Sequence, residues 1–530
     1  MRVVLRSSKS PLPFFNTSRR PPLRRLHGTS LLRAKEPVIY KNSLEKTLEA
    51  HRVSNRASLI RRVVSKDPVS ATTSPDTLSS SEKHVSETGP STEGPPSRET
   101  QPLKRSKTKR HSSQRAPRVS PSVSAPSRPV AWSTDRTRGR PAQSPWLEGV
   151  FASQDSLSQL DAEICALAKY VTPTIAEQNA INQVTAELTT LLRPAAPHPL
   201  VVVGSRRTGF AMSHSDLDLL LPVSDAARSS DSTRKPSASR PQMLELYHET
   251  LHKARAVLRQ SPSFQEQGHP TGKRHSTVTI VHRPTGLPVK LYCGEGLPAS
   301  IEYIQDYHAE YPTIHPLYMT LRLILETHGL YGPPGGITSD ALLVLLATFL
   351  KMNHGRFRGP TPLAAQLLAV LRVYGTEVDL ATTGVAADPP CFFNVDSVKE
   401  AARTYDPADL PAYLRGQRSL INLKRTAARR RNAPAAARLC LQDPANYMND
   451  LGRGCTRARE IQGVFARAYE ELDAALRGWE DTSSGAPERS VLTHALRANF
   501  DSFSRMRARI AAAQVAESIG PSVLQTGRIG

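Results

Sequence analysis

The sequence predicts an α+β protein in which a mixed β-sheet with helices is followed by a mainly helical domain. The apolar stretch PLVVVG at 199–204 is typical of a buried strand. The segments STVTIVHRP and LPVKLYC, separated by Thr285 and Gly286, are typical of a β-hairpin. Beyond about residue 300, apolar residues recur at helical spacing in PLYMTLRLILETHGL and SDALLVLLATFLKMN. Proline, serine and arginine are concentrated in the first third, which is therefore not expected to pack.

The charge of the chain favours a polyanionic partner. Its 530 residues include 70 Lys and Arg against 47 Asp and Glu, a formal net charge of +23. RNA and an anionic membrane surface both fit this excess, and composition alone does not separate them. The longest apolar run, ALLVLLATFL at 341–350, is shorter than the roughly 20 residues that a bilayer requires, so no transmembrane segment is expected. The five cysteines lack CxxC spacing, which indicates neither a zinc site nor a disulfide framework.

The N-terminal third is interpreted as two segments without a packed fold. Residues 1–35 are rich in arginine, serine and threonine and contain no acidic residue, which is the composition of a mitochondrial transit peptide. A disordered basic arm is the alternative, since four prolines interrupt any amphipathic helix there. Residues 36–150 are predicted to be a disordered linker rich in Ser, Pro and basic residues. The basic cluster at 104–110 within it either contacts RNA phosphates or is simply solvated.

Two helices are expected ahead of the first strand. SLSQLDAEICALAKYV, from about residue 154, carries leucine and isoleucine at helical spacing. Thr174 and Glu177 form the pattern of a capping box, which predicts a defined start for the second helix. The order of elements from 154 onward is therefore two helices, a strand, a hairpin and a helical remainder.

The stretch GSRRTGFAMSHSDLDL at 204–219 carries the candidate site. Side chains in a strand repeat with period two, so Asp216 and Asp218 are expected to project to the same side. Paired carboxylates suit Mg²⁺ or Mn²⁺, and such ions stabilise the charge that develops when a hydroxyl attacks an α-phosphate. Gly204 would let the backbone approach a nucleoside triphosphate, with the Ser205 hydroxyl as a donor.

A strand that ends in Gly-Ser and is followed by Ser-Asp-Leu-Asp resembles the signature of the DNA polymerase β-like nucleotidyltransferases. The spacing is most similar to that of the non-conventional poly(A) and poly(U) RNA polymerases, including the poly(A) polymerase-like proteins of fungal mitochondria. The resemblance implies a nucleotidyltransferase palm at 151–300, a helical poly(A) polymerase-associated domain at 301–480 and a C-terminal helical tail at 481–530. It also implies that Asp216 and Asp218 are catalytic metal ligands.

The resemblance extends to two further regions. LCLQDPANYMNDLGRGC at 439–455 is similar to the nucleotide-recognition segment, with Asp443 in its Asp-Pro pair. The histidine of uridylyl-transferring members is replaced by Asn449, which favours ATP as the substrate. A pair of lysines that faces the triphosphate in the family corresponds to Arg322, expected to bind phosphate, and Glu326, expected to repel it.

The sequence departs from the family at the third metal-binding aspartate, where the alignment places Lys290. An ammonium group about 4 Å from a divalent ion would repel it by roughly 8 kcal/mol at an effective dielectric constant of 20. Glu295 is an alternative source of the third carboxylate, and a one-residue slip of the strand would instead turn Lys290 away. A base-stacking tyrosine of the family is replaced by Asp340.

Two functions follow as hypotheses. The first is an RNA 3′-terminal nucleotidyltransferase of the mitochondrial matrix that prefers ATP and uses Mg²⁺ or Mn²⁺. The second is a catalytically impaired protein that binds RNA or a ribonucleoprotein, because Lys290 and Asp340 replace functional residues. Transfer of a nucleotide to a protein or a small molecule fits the same palm but explains the basic charge less well. A homodimer is compatible with each hypothesis. The basic residues at 424–431 are either an RNA-binding strip or a solvated helix face.

Overall fold

The computed structural model describes residues 130–132, 142–150, 153–223, 241–267, 277–406, 409–479 and 490–518, which all lie in one compact unit. The predicted transit peptide and the basic cluster at 104–110 lie outside the described residues, as does most of the predicted linker. The helices are α1 (Ser156–Val171), α2 (Ile175–Leu191), α3 (Gly204–Thr208), α4 (Pro241–Gln260), α5 (Ala299–Glu310), α6 (Ile314–Thr327), α7 (Ser339–Met352), α8 (Pro362–Arg372), α9 (Val395–Ala402), α10 (Ala412–Arg429), α11 (Ala433–Ala436), α12 (Ala458–Arg477), α13 (Thr493–Leu496) and α14 (Asp501–Ser518). The strands are β1 (Val201–Val203), β2 (Leu217–Pro222), β3 (Phe264–Glu266), β4 (Val278–His282), β5 (Pro288–Gly294), β6 (Gly384–Ala387), β7 (Pro390–Phe393) and β8 (Cys440–Gln442).

The larger sheet is mixed and has the strand order β1-β2-β5-β4-β3. Strands β2 and β5 are parallel, whereas the other neighbours are antiparallel. The predicted hairpin is β4–β5, and its turn contains Gly286 with a φ of +70°, a left-handed conformation that glycine adopts without steric cost. The predicted α+β class with a mixed sheet is confirmed.

The helices ahead of the sheet begin where the sequence indicates. The hydroxyl of Thr174 accepts a hydrogen bond from the Glu177 amide at 3.2 Å, and the Glu177 carboxylate accepts one from the Thr174 amide at 2.6 Å. Both halves of the predicted capping box are therefore present at the start of α2. Helix α1 packs against α6 and α8, which brings the N-terminal elements onto the helical part of the protein.

The helical part is built around α7, in which every residue from 341 to 350 is buried. The longest apolar run of the sequence is thus a core helix. Within the described part of the chain, no helix has both the length and the apolar character needed to cross a bilayer. A second sheet, with the order β7-β6-β8, packs beside α7 and was not predicted from the sequence.

Three residues of the predicted linker belong to the core, so the prediction for 36–150 is wrong at these positions. Val130, Trp132 and Trp146 are each at most 4% exposed. The Trp132 ring lies 5.1 Å from that of Phe500 and 5.2 Å from that of Phe503. The two tryptophan rings bury enough apolar surface to hold this polar segment against the core. The average composition of residues 36–150 does not reveal them.

The C-terminal helix α14 packs against α2 and reaches the turn of the β4–β5 hairpin. Arg507 donates a hydrogen bond to Glu177 on α2 at 2.9 Å and another to the carbonyl oxygen of Tyr170 at 2.8 Å. Arg509 donates to the carbonyl oxygen of Pro284, in the β4–β5 hairpin, at 2.9 Å. Residues from the region predicted to be a helical tail therefore support the elements that carry the candidate site.

Candidate active site

The two aspartates of the motif lie at the start of β2. Leu217, Leu219 and Leu221 are fully buried, and the alternation of the strand places Asp218 on the opposite face. Asp216 directly precedes the strand and projects to the same side as Asp218, and both are partly accessible. The predicted carboxylate pair is therefore assembled at the end of a short strand.

Gly204 brings the end of β1 against Asp218. Its φ is +66°, and a Cβ at this position would lie 2.6 Å from Oδ2 of Asp218. The pairing of Val203 with Asp218 across β1 and β2 creates this close approach. Ser205 follows in the first turn of α3, and its hydroxyl has no hydrogen-bond partner within the described residues. Gly204 therefore lies beside the carboxylate pair with Ser205 next to it in the chain, and their binding of a triphosphate stays a prediction.

Arg206 holds the loop between α3 and β2. Its guanidinium donates to the carbonyl oxygens of Asp216 at 3.2 Å and Ser213 at 3.3 Å, and also to that of Ser215. Burial lowers the pKa of Arg206 to about 10, although Asp216 and Asp218 oppose the shift. Arg206 was not singled out from the sequence, although its position directly after Gly204 and Ser205 could have indicated a role in the site.

Lys290 occupies the third position of the site. In the parallel pair of β2 and β5, Lys290 lies directly opposite Asp218, and its ammonium group forms an ion pair with Oδ2 of Asp216. Burial would lower the pKa of Lys290, but the charge and hydrogen bond of Asp216 outweigh it and raise the pKa. The possible slip of the strand is thereby settled: Lys290 faces the carboxylates.

The same arrangement alters Asp218. Burial raises the pKa of this carboxyl from 3.8 to about 6, and the charge of Lys290 only partly opposes the shift. Asp218 is therefore partly protonated near pH 6. Below about pH 6, binding of a divalent cation to Asp218 would require release of this proton.

The residues present do not fit the divalent-ion site that the resemblance implies. Within the described ranges, no group of three or more His, Cys, Asp or Glu side chains is arranged to hold a metal ion. Two carboxylates remain, and an ammonium group is bound to one of them. Glu295, the alternative third carboxylate, instead accepts a hydrogen bond from Tyr247 of α4 at 3.3 Å.

The expectation that Arg322 binds a triphosphate is wrong in this structure. The Arg322 side chain is only 5% exposed, and its Nε donates to Oε1 of Glu326 at 2.8 Å, one turn along α6. Its guanidinium also lies over the ring of Tyr331, 4.7 Å from the ring centre. A guanidinium that is buried and already paired is not available to a phosphate ligand.

Glu326 does not face a triphosphate either. Its second oxygen, Oε2, accepts a hydrogen bond from Trp132 Nε1 at 2.7 Å and contacts His214 Nε2 at 2.9 Å. Burial alone would raise its pKa, but His214 and Arg322 outweigh that effect and hold the pKa well below its usual value. Because His214 lies two residues before Asp216, this network fixes the loop that carries the carboxylates.

The predicted nucleotide-recognition residues Asp443 and Asn449 are hydrogen bonded to each other. Asp443 is 9% exposed and accepts a hydrogen bond from Asn449 Nδ2 at 2.9 Å. Asp340 lies in the first turn of α7, where an aromatic ring was expected in the family, and is hydrogen bonded to Ser300. Burial raises the pKa of both Asp340 and Asp443. The charge of Asp443 raises the pKa of Asp340 further, and the charge of Asp340 raises the pKa of Asp218.

Comparison with known proteins identifies the fold. No protein-family model matches the sequence. A solved structure described as the polymerase core of TRAMP, an RNA surveillance complex, matches over 67% of this chain and 99% of that chain, with a TM-score of 0.50 and 17% identity. This chain has the fold of that polymerase core. The predicted fold class, a mixed sheet followed by a mainly helical domain, agrees with that polymerase core.

Two further similarities are more distant. A structure of mtPAP in its apo form matches over 69% of this chain and 77% of that chain, with a TM-score of 0.44 and 13% identity. The poly(A) RNA polymerase gld-4 of Caenorhabditis elegans is 23% identical over 210 residues, which are 38% of this chain and 21% of that protein. This chain therefore spans about a fifth of the length of that curated relative.

On this polymerase-core fold, the carboxylate site carries an internal cation. Asp216 and Asp218 lie where the motif places them, whereas the ammonium group of Lys290 satisfies Asp216. Asp340 adds negative charge close enough to raise the pKa of Asp218.

Proposed function

We propose that this protein is an RNA-binding factor built on a polymerase core, and that it does not carry out metal-dependent nucleotidyl transfer. The ion pair between Lys290 and Asp216 is the observation that carries this proposal. An internal cation satisfies the carboxylate that would otherwise bind a metal ion. Polymerisation needs ions that bridge the carboxylates and the substrate phosphates, and Lys290 opposes their binding.

RNA is the proposed partner on two grounds. The net charge of +23 is suited to a polyanion. The proteins to which the chain is similar are described as a poly(A) RNA polymerase and as the polymerase core of an RNA surveillance complex. RNA binding is part of the proposal, since a shared fold alone does not imply a function.

The direct test is RNA binding by the full chain with and without divalent ions. Fluorescence anisotropy with a labelled 20-nucleotide single-stranded RNA would be measured in 2 mM MgCl₂ and in 2 mM EDTA, at matched ionic strength. The proposal expects affinities that agree within about twofold, because the contacts are to protein cations. Loss of binding in EDTA, or no binding in either buffer, would contradict it.

An ATP-preferring polynucleotide adenylyltransferase that uses Mg²⁺ or Mn²⁺ is the second candidate. The side chains of Lys290 and Asp216 are 41% and 29% exposed, so their ion pair lies within reach of solvent and can open. Opening would free both aspartates. Asn449, in place of the histidine of uridylyl-transferring relatives, favours ATP over UTP in this candidate.

We place the protein in the mitochondrial matrix on the composition of residues 1–35, which lie outside the described residues. Fusion of these residues to a fluorescent protein tests the assignment. Import with cleavage of the segment is expected, and a diffuse cytosolic signal would overturn it.

A further inference from the structure

Helix α10 (Ala412–Arg429) presents one apolar face and one strongly basic face. Leu414, Gln417 and Leu420 are buried, and Gly416 packs against the backbone of Tyr447. The other face carries Arg418, Arg425 and Arg429, which are all exposed. These three residues, named here the arginine stripe, follow one another after seven and four positions. They therefore lie within about 40° of each other around the helix and span about 16 Å along it.

The segment that carries the arginine stripe contains no acidic residue of its own. The sequence contains no Asp or Glu between residues 410 and 442, although it holds eight Lys and Arg there. Two of these cations are used in the fold: Lys424 donates to the carbonyl oxygen of Arg438 at 2.7 Å, and Arg438 pairs with Asp450 at 3.2 Å. The members of the arginine stripe make no ion pair with any described residue.

Some arginines elsewhere on the described surface are paired, whereas the stripe aligns three unpaired guanidinium groups on one face of one helix. Arg457 pairs with Glu460, Arg477 with Asp473 and Arg497 with Glu471. A helix that concentrates three unpaired guanidinium groups on one face sustains mutual repulsion unless an anion binds to it.

The chemistry of the stripe suits a phosphate backbone. Guanidinium groups bind phosphate through paired N–H donors, and a row of them matches a chain of phosphates better than it matches a single anion. The stripe itself contains no aromatic side chain that could stack on a base, so recognition would be independent of sequence.

We propose that the arginine stripe binds the phosphate backbone of RNA, at a surface distinct from the carboxylate site. The inference rests on the proposed function, because it assigns the surface through which RNA is held. RNA held there lies on the helical part of the protein, supported by the second sheet on which α10 packs.

The test compares two triple variants with the same change in charge. R418E/R425E/R429E removes the stripe, whereas R193E/R467E/R505E alters three exposed arginines on other elements. Binding of labelled A₂₀ RNA by the full chain would be measured by anisotropy from 50 to 300 mM KCl, and thermal unfolding would verify that both variants fold. The neutral variant R418Q/R425Q/R429Q serves if the glutamates destabilise α10.

We expect the stripe variant to bind at least tenfold more weakly at 100 mM KCl. The slope of log K against log[KCl] should become shallower by about 2, since three phosphate contacts on a single strand each contribute about 0.7. The control variant should change affinity less than threefold. Equal losses in the two variants would overturn the inference.

Failure of this inference is distinguishable from failure of the proposed function. Wild-type protein that binds no RNA contradicts the proposed function itself. Wild-type protein that binds RNA with the same slope as the stripe variant contradicts only the assignment of the surface. Vesicles of phosphatidylcholine with 30% phosphatidylserine supply the remaining comparison. If the wild-type protein binds vesicles but not RNA, and the stripe variant no longer binds vesicles, the ligand of the stripe is an anionic membrane and the inference is overturned.

Discussion

Lys290 lies opposite Asp218 across two parallel strands and forms an ion pair with Asp216. One cation therefore faces both carboxylates of the motif. The arrangement follows from the register of β2 and β5, because a shift of one residue would turn Lys290 to the other face of the sheet. Lys290 thus determines the charge of the site, and the pairing of β5 with β2 and β4 fixes the position of Lys290.

Replacement of Lys290 by aspartate should create a metal site. The Lys290→Asp variant places a third carboxylate beside Asp216 and Asp218, and Mn²⁺ should then stabilise it by mass action, by about 2.7 kcal/mol at 100 times the dissociation constant. Thermal unfolding with and without 1 mM MnCl₂ measures the effect. Lys290→Ala, which removes the cation without adding a ligand, is the control and should respond less. Equal stabilisation of wild-type protein by Mn²⁺ would show that Lys290 does not exclude the ion.

Asp218→Asn should stabilise the protein in a way that depends on pH. The folded-state pKa of Asp218 is about 6, above its usual value of 3.8, so folding favours the protonated form. Wild-type stability should consequently fall as pH rises from about 4 to about 6, by roughly 2 to 3 kcal/mol from this group alone. Asn carries no such cost. Urea unfolding should show the variant more stable than wild type at pH 7.5, with a smaller difference at pH 4.5. A difference that does not change with pH would contradict the raised pKa.

Gly204→Ala should cost more than Gly209→Ala. Both glycines have a positive φ, of +66° and +83°, so each alanine incurs a backbone penalty of about 1–2 kcal/mol. The new Cβ at position 204 also meets Asp218 at 2.6 Å, whereas nothing lies within 4 Å at position 209. Free energies of unfolding from urea titration should differ by about 1–2 kcal/mol. In an Asp218→Ala background the two costs should converge, and persistence of the difference there would refute the proposed contact.

Glu326→Gln should destabilise the protein by about 3–5 kcal/mol, because it leaves the charge of Arg322 buried without a counter-ion. Trp132→Phe removes the hydrogen bond to Glu326 and part of a buried ring while keeping an aromatic side chain, so a cost of about 1.5–3 kcal/mol is expected. Equilibrium unfolding in urea ranks the two variants. A cost below 1 kcal/mol for Glu326→Gln would mean that the network does not support the loop of Asp216.

The local pattern of the sequence predicts much of the sheet and of the carboxylate pair. Thr174 and Glu177 define the start of α2, and the Gly-containing turn at 286 defines the hairpin that positions Lys290. These features depend on neighbours in the chain. The period of two along β2 likewise requires only the sequence of that strand.

Contacts between distant residues were the features that sequence alone could not supply. Trp132 reaches the core through Phe500 and Glu326, which are remote in the chain, so its segment was interpreted as linker. Arg322 was expected to face a phosphate, although Glu326 four residues later offered the pattern of a helical ion pair. The family resemblance predicts that Arg322 binds phosphate, whereas its spacing of four residues from Glu326 predicts the ion pair that is observed.

Primer extension is the most direct test of the central claim, which is that the Lys290–Asp216 ion pair prevents metal-dependent nucleotidyl transfer. Full-length protein would be incubated with labelled RNA and each of the four nucleoside triphosphates, in Mg²⁺ and in Mn²⁺, with Asp216→Ala as the control. We predict no extension with any nucleotide, together with measurable binding of the same RNA. Extension with ATP that disappears in Asp216→Ala would contradict the account and establish the adenylyltransferase.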